Sequence, residues 1–433
     1  MKAINWITLS LAMSFAAQAD WKQWRGPTGQ GHADANLPTE WSEKKNVKWR
    51  TPIPGKGWSS PVIEGNQIWM TTAFETLASK EETAERLKKN TGGVPVHVLS
   101  RVRLHAVCID KRNGKLLHNI EVISKNKPQW VHKFNSYASP TPVIEASRVY
   151  CHFGAYGTVC VDSKTGRIIW RNQDIWVNHE TGPGSSPVLW KDLLIFHMDG
   201  SDKQFVVALD TKTGREKWRI ARSGKMHENP QLKKSFGTPL LREIDGKPVL
   251  ISPGSNWLYT YDPGTGKELW KVGYGNLGFS LVPRPVTGHG MIFMSTGFMK
   301  AKLLAVRYAN TAKPDIVWSY ARSVSTQPSP LLVGDELYFI TESGGLITCL
   351  NAHTGEPHWV ERIGGNYSAS PTFSSGKIYF HSREGITTVL QAGKQFKVLA
   401  KNQLKGQHMA SAAVDGNALI LRTNKALYRV EER

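Results

Sequence analysis

The chain has 433 residues, of which 40% are apolar and 21% charged, so it can bury a large core and reads as two or three ordinary domains or one repeat-built domain. Its formal charge of +20 favours anionic partners through long-range attraction. Past the N-terminus no stretch is long and apolar enough to cross a bilayer as a helix, so a soluble mature protein is expected.

Residues 1–19 read as a secretory signal: Lys2, an apolar stretch from Ile4 to Ala17, and small residues at Ala17-Gln18-Ala19 before Asp20. Asn5, Thr8, Ser10 and Ser14 interrupt the stretch, which is short for an uncleaved anchor, and no Cys follows to carry a lipid. The mature chain, residues 20–433, is expected in the periplasm or outside the cell, with a charge of +19 once Lys2 is removed. There the anionic partners are acidic polysaccharides, lipid headgroups or acidic protein surfaces rather than nucleic acid.

A lone strand, "NVKWRTPI", comes first. Then a phrase recurs: "SSPVI" at 59, "SPTPV" at 139, "SSPVL" at 185, "GTPLL" at 237, "PRPVT" at 283, "PSPLL" at 328, "SASPT" at 368 and "ASAAV" at 410. Alternating strands such as "QIWMTT", "LLIFHM" and "ELYFIT" follow it. Next come "DKRNGKLLH" from Asp110, "DSKTGRIIW" from Asp162, "DTKTGREKW" from Asp210, "DPGTGKELW" from Asp262 and "NAHTGEPHW" from Asn351. Each is a hairpin signal, with Asp or Asn bonding its own turn, Gly taking positive φ, and a ring on the returning strand. Rings at Trp49, His118, Trp170, Trp218, Trp270, Trp318 and Trp359, with "FKVLA" near Val398, mark eight last strands at intervals of 39 to 69 residues.

Four strands per period of about 40 to 50 residues are propeller blades. The fold class is therefore all-β, an eight-bladed propeller of four-stranded antiparallel blades. The chain begins with a last strand and ends after three strands, so the N-terminal strand should complete the C-terminal blade and remove its open edges. The longest interval holds an insertion at about 73–100, where "SKEETAERLKKN" predicts a surface helix capped by Ser79, with Glu82–Arg86 and Glu85–Lys89 pairs. Cys108, Cys160 and Cys349 stand two residues before Asp110, Asp162 and Asn351, in a slot that Ala208 and Thr260 fill elsewhere, so they read as small buried hydrophobes. A bond between Cys151 and Cys160 across a hairpin at "GAYG" is the alternative.

"ALDTKTGREKW" and its copies resemble the tryptophan-docking motif of the pyrroloquinoline-quinone-type β-propeller repeat, in which each Trp packs between neighbouring blades. The resemblance covers essentially the whole mature chain and assigns docking roles to Trp49, Trp170, Trp218, Trp270, Trp318 and Trp359. In the quinoprotein alcohol dehydrogenases of this fold the quinone lies between a Trp and a ring of two adjacent cysteines, beside calcium. This chain has no Cys-Cys pair and no Cys-x-x-Cys-His haem site, so the expected reading has neither cofactor nor metal, and oxidation of an alcohol or sugar with quinone and calcium is the alternative. "HMDGSDKQF" groups His197, Asp199 and Asp202, which read as turn chemistry before they read as a cation site. The fourteen His residues show no metal-ligand spacing.

Connectors entering the first strands should converge on one mouth of the channel, bringing together Trp58, Asn135, Tyr137, Lys234, Phe236, Phe279, Arg284, Gln327, Asn366, Tyr367 and His408. Aromatic faces mixed with amides and cations suit extended peptides, sugars or acidic groups. "KVGYGNLGFS" spells G-x-G-x-x-G, but "FSLVPRPV" follows where a nucleotide site needs a helix, so it reads as a connector. The expected function is a noncatalytic exported binding or assembly scaffold, monomeric, resembling the eight-bladed outer-membrane protein assembly factor. Its expected partner is an envelope protein or acidic polysaccharide, with peripheral membrane contact left open.

Overall fold

The computed structural model describes residues 20–90, 93–309 and 313–432; the expected signal at 1–19 lies outside them. Eight four-stranded sheets follow one another in chain order, each a meander running from the innermost strand outward. The first blade is Val62–Glu64, Gln67–Leu77, Leu99–Asp110 and Leu116–Asn126. Val47–Pro52 pairs antiparallel with Ala426–Val430 and so becomes the outermost strand of the eighth blade, as the strand order requires.

The two faces of the disc differ. Turns between first and second strands, and between third and fourth, lie on the lower face; second-to-third turns and the connectors between blades lie on the upper face. Middle strands such as Leu193–Asp199 and Met291–Ser295 are buried throughout because neighbouring blades cover both their faces, whereas outer strands such as Glu216–Ala221 alternate.

The repeated motif explains itself in the packing. Cys108, Cys160, Ala208, Thr260 and Cys349 sit directly across the ladder from His118, Trp170, Trp218, Trp270 and Trp359, so the slot must be small to admit the ring. The indole N–H of Trp49, Trp170 and Trp318 donates to the carbonyls of Lys111, Thr211 and Ala352, each the residue after the turn Asp or Asn of the next blade. The turn glycine lies on that same ring: Gly214 has φ of 70°, and a Cβ there would come within 2.4 Å of Trp170. All four cysteines are buried and free. Cys151 pairs with Val159 and Cys160 with Tyr150, an offset of one residue that puts the two thiols on opposite faces of the hairpin, so the alternative bond does not form.

Blades are also stitched at the axis. Backbone N–H groups of the innermost strands donate to hydroxyls of the next blade: Ser60 to Thr141 at 2.9 Å, Thr141 to Ser186 at 2.9 Å, Ser186 to Thr238 at 3.0 Å, Arg284 to Ser329 at 2.9 Å, Ser329 to Ser370, Ser370 to Ser411 and Ser411 to Ser60 at 3.0 Å. The ring of hydroxyls breaks only where Arg284 replaces Ser or Thr. The N-terminal segment enters the channel from below at this level. His32–Ala33 adds a parallel strand to the inner edge of Thr372–Ser374, and the carbonyls of Trp21 and Lys22 accept from Ile63 and Ile144.

Candidate functional site

The eleven residues expected at one mouth divide by burial and by level. Trp58, Asn135, Phe236, Phe279, Gln327 and Asn366 are partly exposed on the upper-face connectors. Tyr137, Lys234, Tyr367 and His408 are on the same connectors but buried beneath them. Tyr137 donates to the Gln129 carbonyl at 2.6 Å and Lys234 to Gln231 Oε1 at 2.7 Å, and burial brings the Lys234 ammonium down to about 8. Asn135 and Asn366 spend their amides on Thr181 and Pro183 carbonyls and on the Glu384 carboxylate.

Arg284 is a correction in level. Its side chain lies under the mouth, buried by the N-terminal segment, donating to the carbonyls of Trp24 at 3.0 Å and Gly29 at 3.2 Å with its guanidinium over the Trp24 ring. Arg25, buried beside it, donates to Pro330. Burial brings both arginines down to about 9, with Arg25's charge adding to the effect of burial at Arg284. These cations hold the segment in the lower end of the channel and are not presented to solvent.

Beneath the connectors lie five buried imidazoles, His152, His197 and His381 on second strands and His179 and His408 on connectors. Burial holds His152 at about 3, His179 and His408 at about 4, and His197 and His381 well below the ordinary imidazole range. His152, His197 and His381 meet hydroxyls of Thr158, Ser252 and Thr387 at 2.9 to 3.0 Å. They are neutral polar packing at physiological pH.

The buried acidic side chains beneath the connectors already have partners within the chain. Asp199 is taken by Arg222 in a fully buried two-pronged pair at 3.1 and 2.8 Å, and Glu180 receives Asn178 and Ser201. In "HMDGSDKQF" Asp202 accepts from the Asn178 N–H, and the Gly200 N–H donates to the Lys203 carbonyl. "KVGYGNLGFS" leads from Glu268–Gly273 to a two-residue strand, Gly278–Phe279, that pairs with Phe298–Met299, and no helix follows. Gly278 is required there because a Cβ would meet the Thr296 carbonyl oxygen at 2.1 Å.

Sequence reasoning missed the aromatic and apolar side chains that project from the upper face. Phe134 is 64% exposed, Trp176 50% and Met299 78%, joined by Leu77 and Phe298. The other exposed large apolar residues, Leu116, Leu117, Ile169, Leu269, Val317, Val360 and Val398, are on outermost strands; among the described residues none is on a lower-face turn. Phe134 lies against the Arg383 guanidinium of the seventh blade at 5.7 Å, and Trp58 donates to the Phe134 carbonyl at 3.0 Å. Beside them the first blade rises above the face as an arm of three strands of eleven or twelve residues. Its helix, Lys80–Leu87, is capped by Ser79 accepting from Glu82 N–H, and Arg86 ties it to Glu82 and to the Leu99 carbonyl. Glu85 pairs with Lys88 rather than the expected Lys89. A lone connector residue carries no periodic signal, which is why Phe134 and Trp176 were not legible.

A family model described as outer membrane protein assembly factor BamB matches residues 34–219, 155–236 and 203–432. No curated protein matches the chain. Among solved structures, BamB from Moraxella catarrhalis is similar at 12% identity and a TM-score of 0.53, covering 83% of this chain and 99% of that one. A europium-containing methanol dehydrogenase is similar at 10% identity and a TM-score of 0.53, covering 93% of this chain and 89% of that one. The computationally designed Ika8 protein is similar at 9% identity and a TM-score of 0.54, covering 88% of this chain and 100% of that one. At these identities the likeness is one of fold.

Proposed function

Since the chain belongs to the outer membrane protein assembly factor BamB family, we propose that it is a noncatalytic binding scaffold of the cell envelope whose upper face holds an extended segment of an envelope protein. One observation carries this reading. Among the described residues, every exposed large apolar side chain off the outermost strands stands on the upper face, while the lower end of the channel is filled by the chain's own N-terminal segment. Exposed aromatic groups rimmed by amides are what a protein-binding surface offers, and the excess of basic residues favours an acidic partner. Trp58, Phe236, Phe279 and Gln327 would line the contact, with Tyr137, Lys234, Tyr367 and His408 supporting the connectors from below. Export through the signal at 1–19 puts the protein where such partners fold, and among the described residues no helix is long and apolar enough to cross a membrane.

The test is capture from the parent envelope fraction with the wild type and a Phe134→Ala, Trp176→Ala, Met299→Ala triple variant. Anchors of this kind each contribute about 1–2 kcal/mol, so capture should fall at least about tenfold with no loss of melting temperature. Undiminished protein capture by the triple variant, or capture of acidic polysaccharide alone, refutes the reading.

A further inference from the structure

Three metal-ligating side chains meet on the lower face, away from the surface described above. His289 is in the turn between the first two strands of the fifth blade, Val286–Gly288 and Met291–Ser295. Asp335 holds the same place in the sixth blade, and His353 is in that blade's third-to-fourth turn. Asp335 Oδ1 lies 3.2 Å from His353 Nε2 and 3.4 Å from His289 Nε2, and one ligand atom of each residue falls within 4.8 Å of the others. The two imidazole rings are 4.3 Å apart, and all three residues are exposed.

A tetrahedral ion held at 2.0–2.1 Å has edges of about 3.3 Å between its ligand atoms. Two edges of the triangle already match, and the third closes by rotation of exposed rings. Hydrogen bonding accounts for less of the arrangement. His289 Nε2 already has a partner in the Gly334 carbonyl at 2.9 Å, and the carboxylate needs only one imidazole, yet both converge on the same oxygen.

We propose that His289, Asp335 and His353 form a site for one divalent first-row transition ion, Zn²⁺ in the first instance, with the fourth position left to water. Two imidazoles and a carboxylate select such ions over Ca²⁺ and Mg²⁺, which take mainly oxygen ligands. Binding exchanges the His289–Gly334 hydrogen bond for a coordinate bond and ties the fifth blade to the sixth at their lower turns. The site is built from turns 46 and 18 positions apart, so no local spacing announces it.

The experiment uses tag-free full-length protein stripped with a chelator and titrated calorimetrically with ZnCl₂. One Zn²⁺ per chain is expected, with a raised melting temperature and, on Co²⁺ substitution, the strong visible bands of tetrahedral cobalt. His289→Ala, His353→Ala and Asp335→Asn should each weaken binding at least about tenfold, while His227→Ala on the upper face leaves it unchanged. The apo variants should melt with the apo wild type. No Zn²⁺ uptake into the millimolar range, or uptake that survives a His289→Ala, His353→Ala double variant, overturns the site.

Discussion

Seven of the eight innermost strands place a Ser or Thr hydroxyl where the preceding blade has a backbone N–H with no ladder partner. Removing one hydroxyl leaves a buried donor unmade, so Ser370→Ala, which orphans the Ser329 N–H, should cost about 1–3 kcal/mol in urea unfolding. A cost below a few tenths of a kcal/mol would show that the ring carries no stability. The repeated Ser/Thr-Pro phrase was legible as a strand marker; that its hydroxyl points sideways to the preceding blade was not, because periodicity gives a residue's face and says nothing of what lies beyond the edge. Arg284 shows the same limit. Its register was right, but its surroundings come from Trp24 and Gly29, some 255 to 260 positions earlier.

At the scale of the blade, the docking ring joins a small slot, a turn glycine and a neighbour's carbonyl into one contact. Trp170 is buried against Cys160 and Gly214 and donates to Thr211 at 3.0 Å. Trp170→Phe keeps much of the ring and loses the hydrogen bond, for a cost of about 1 kcal/mol, whereas Trp170→Ala opens a cavity worth about 3–5 kcal/mol. Equal losses for the two variants, measured by denaturant midpoint, would place the contribution in the hydrogen bond and contradict the packing account. The blades were legible because turn chemistry and ring spacing repeat on every one. The arm on the first blade was legible only as a capped helix, since the partners of Arg86, at Leu99 and Pro128, depend on the tertiary path.

The whole molecule responds to acid through its buried imidazoles. His152 at about 3 and His179 and His408 at about 4 are depressed far below the unfolded value of about 6.5. Above that value both states are neutral and nothing is lost. As pH falls below it the unfolded chain takes up protons that the folded chain refuses, so stability declines by up to about 1.4 kcal/mol per pH unit for each group. A His381→Gln, His408→Gln double variant should flatten the dependence of the urea midpoint between pH 6.5 and 5; an unchanged slope would assign the acid sensitivity elsewhere. The closure of the ring has a further consequence in time. Val47 pairs with Val430, and Lys111 of the first blade meets Asp415 of the eighth at 2.7 Å. The last sheet therefore cannot form until the strand at 426–430 has been made, and loop-closure entropy must be met before that pairing is rewarded. A chain without the Val47–Pro52 or Ala426–Val430 strand leaves the eighth sheet with an unpaired edge, which is a site for non-native pairing and proteolysis. Closing the ring thus acts as a check on synthesis, passed only when both of these distant strands are present.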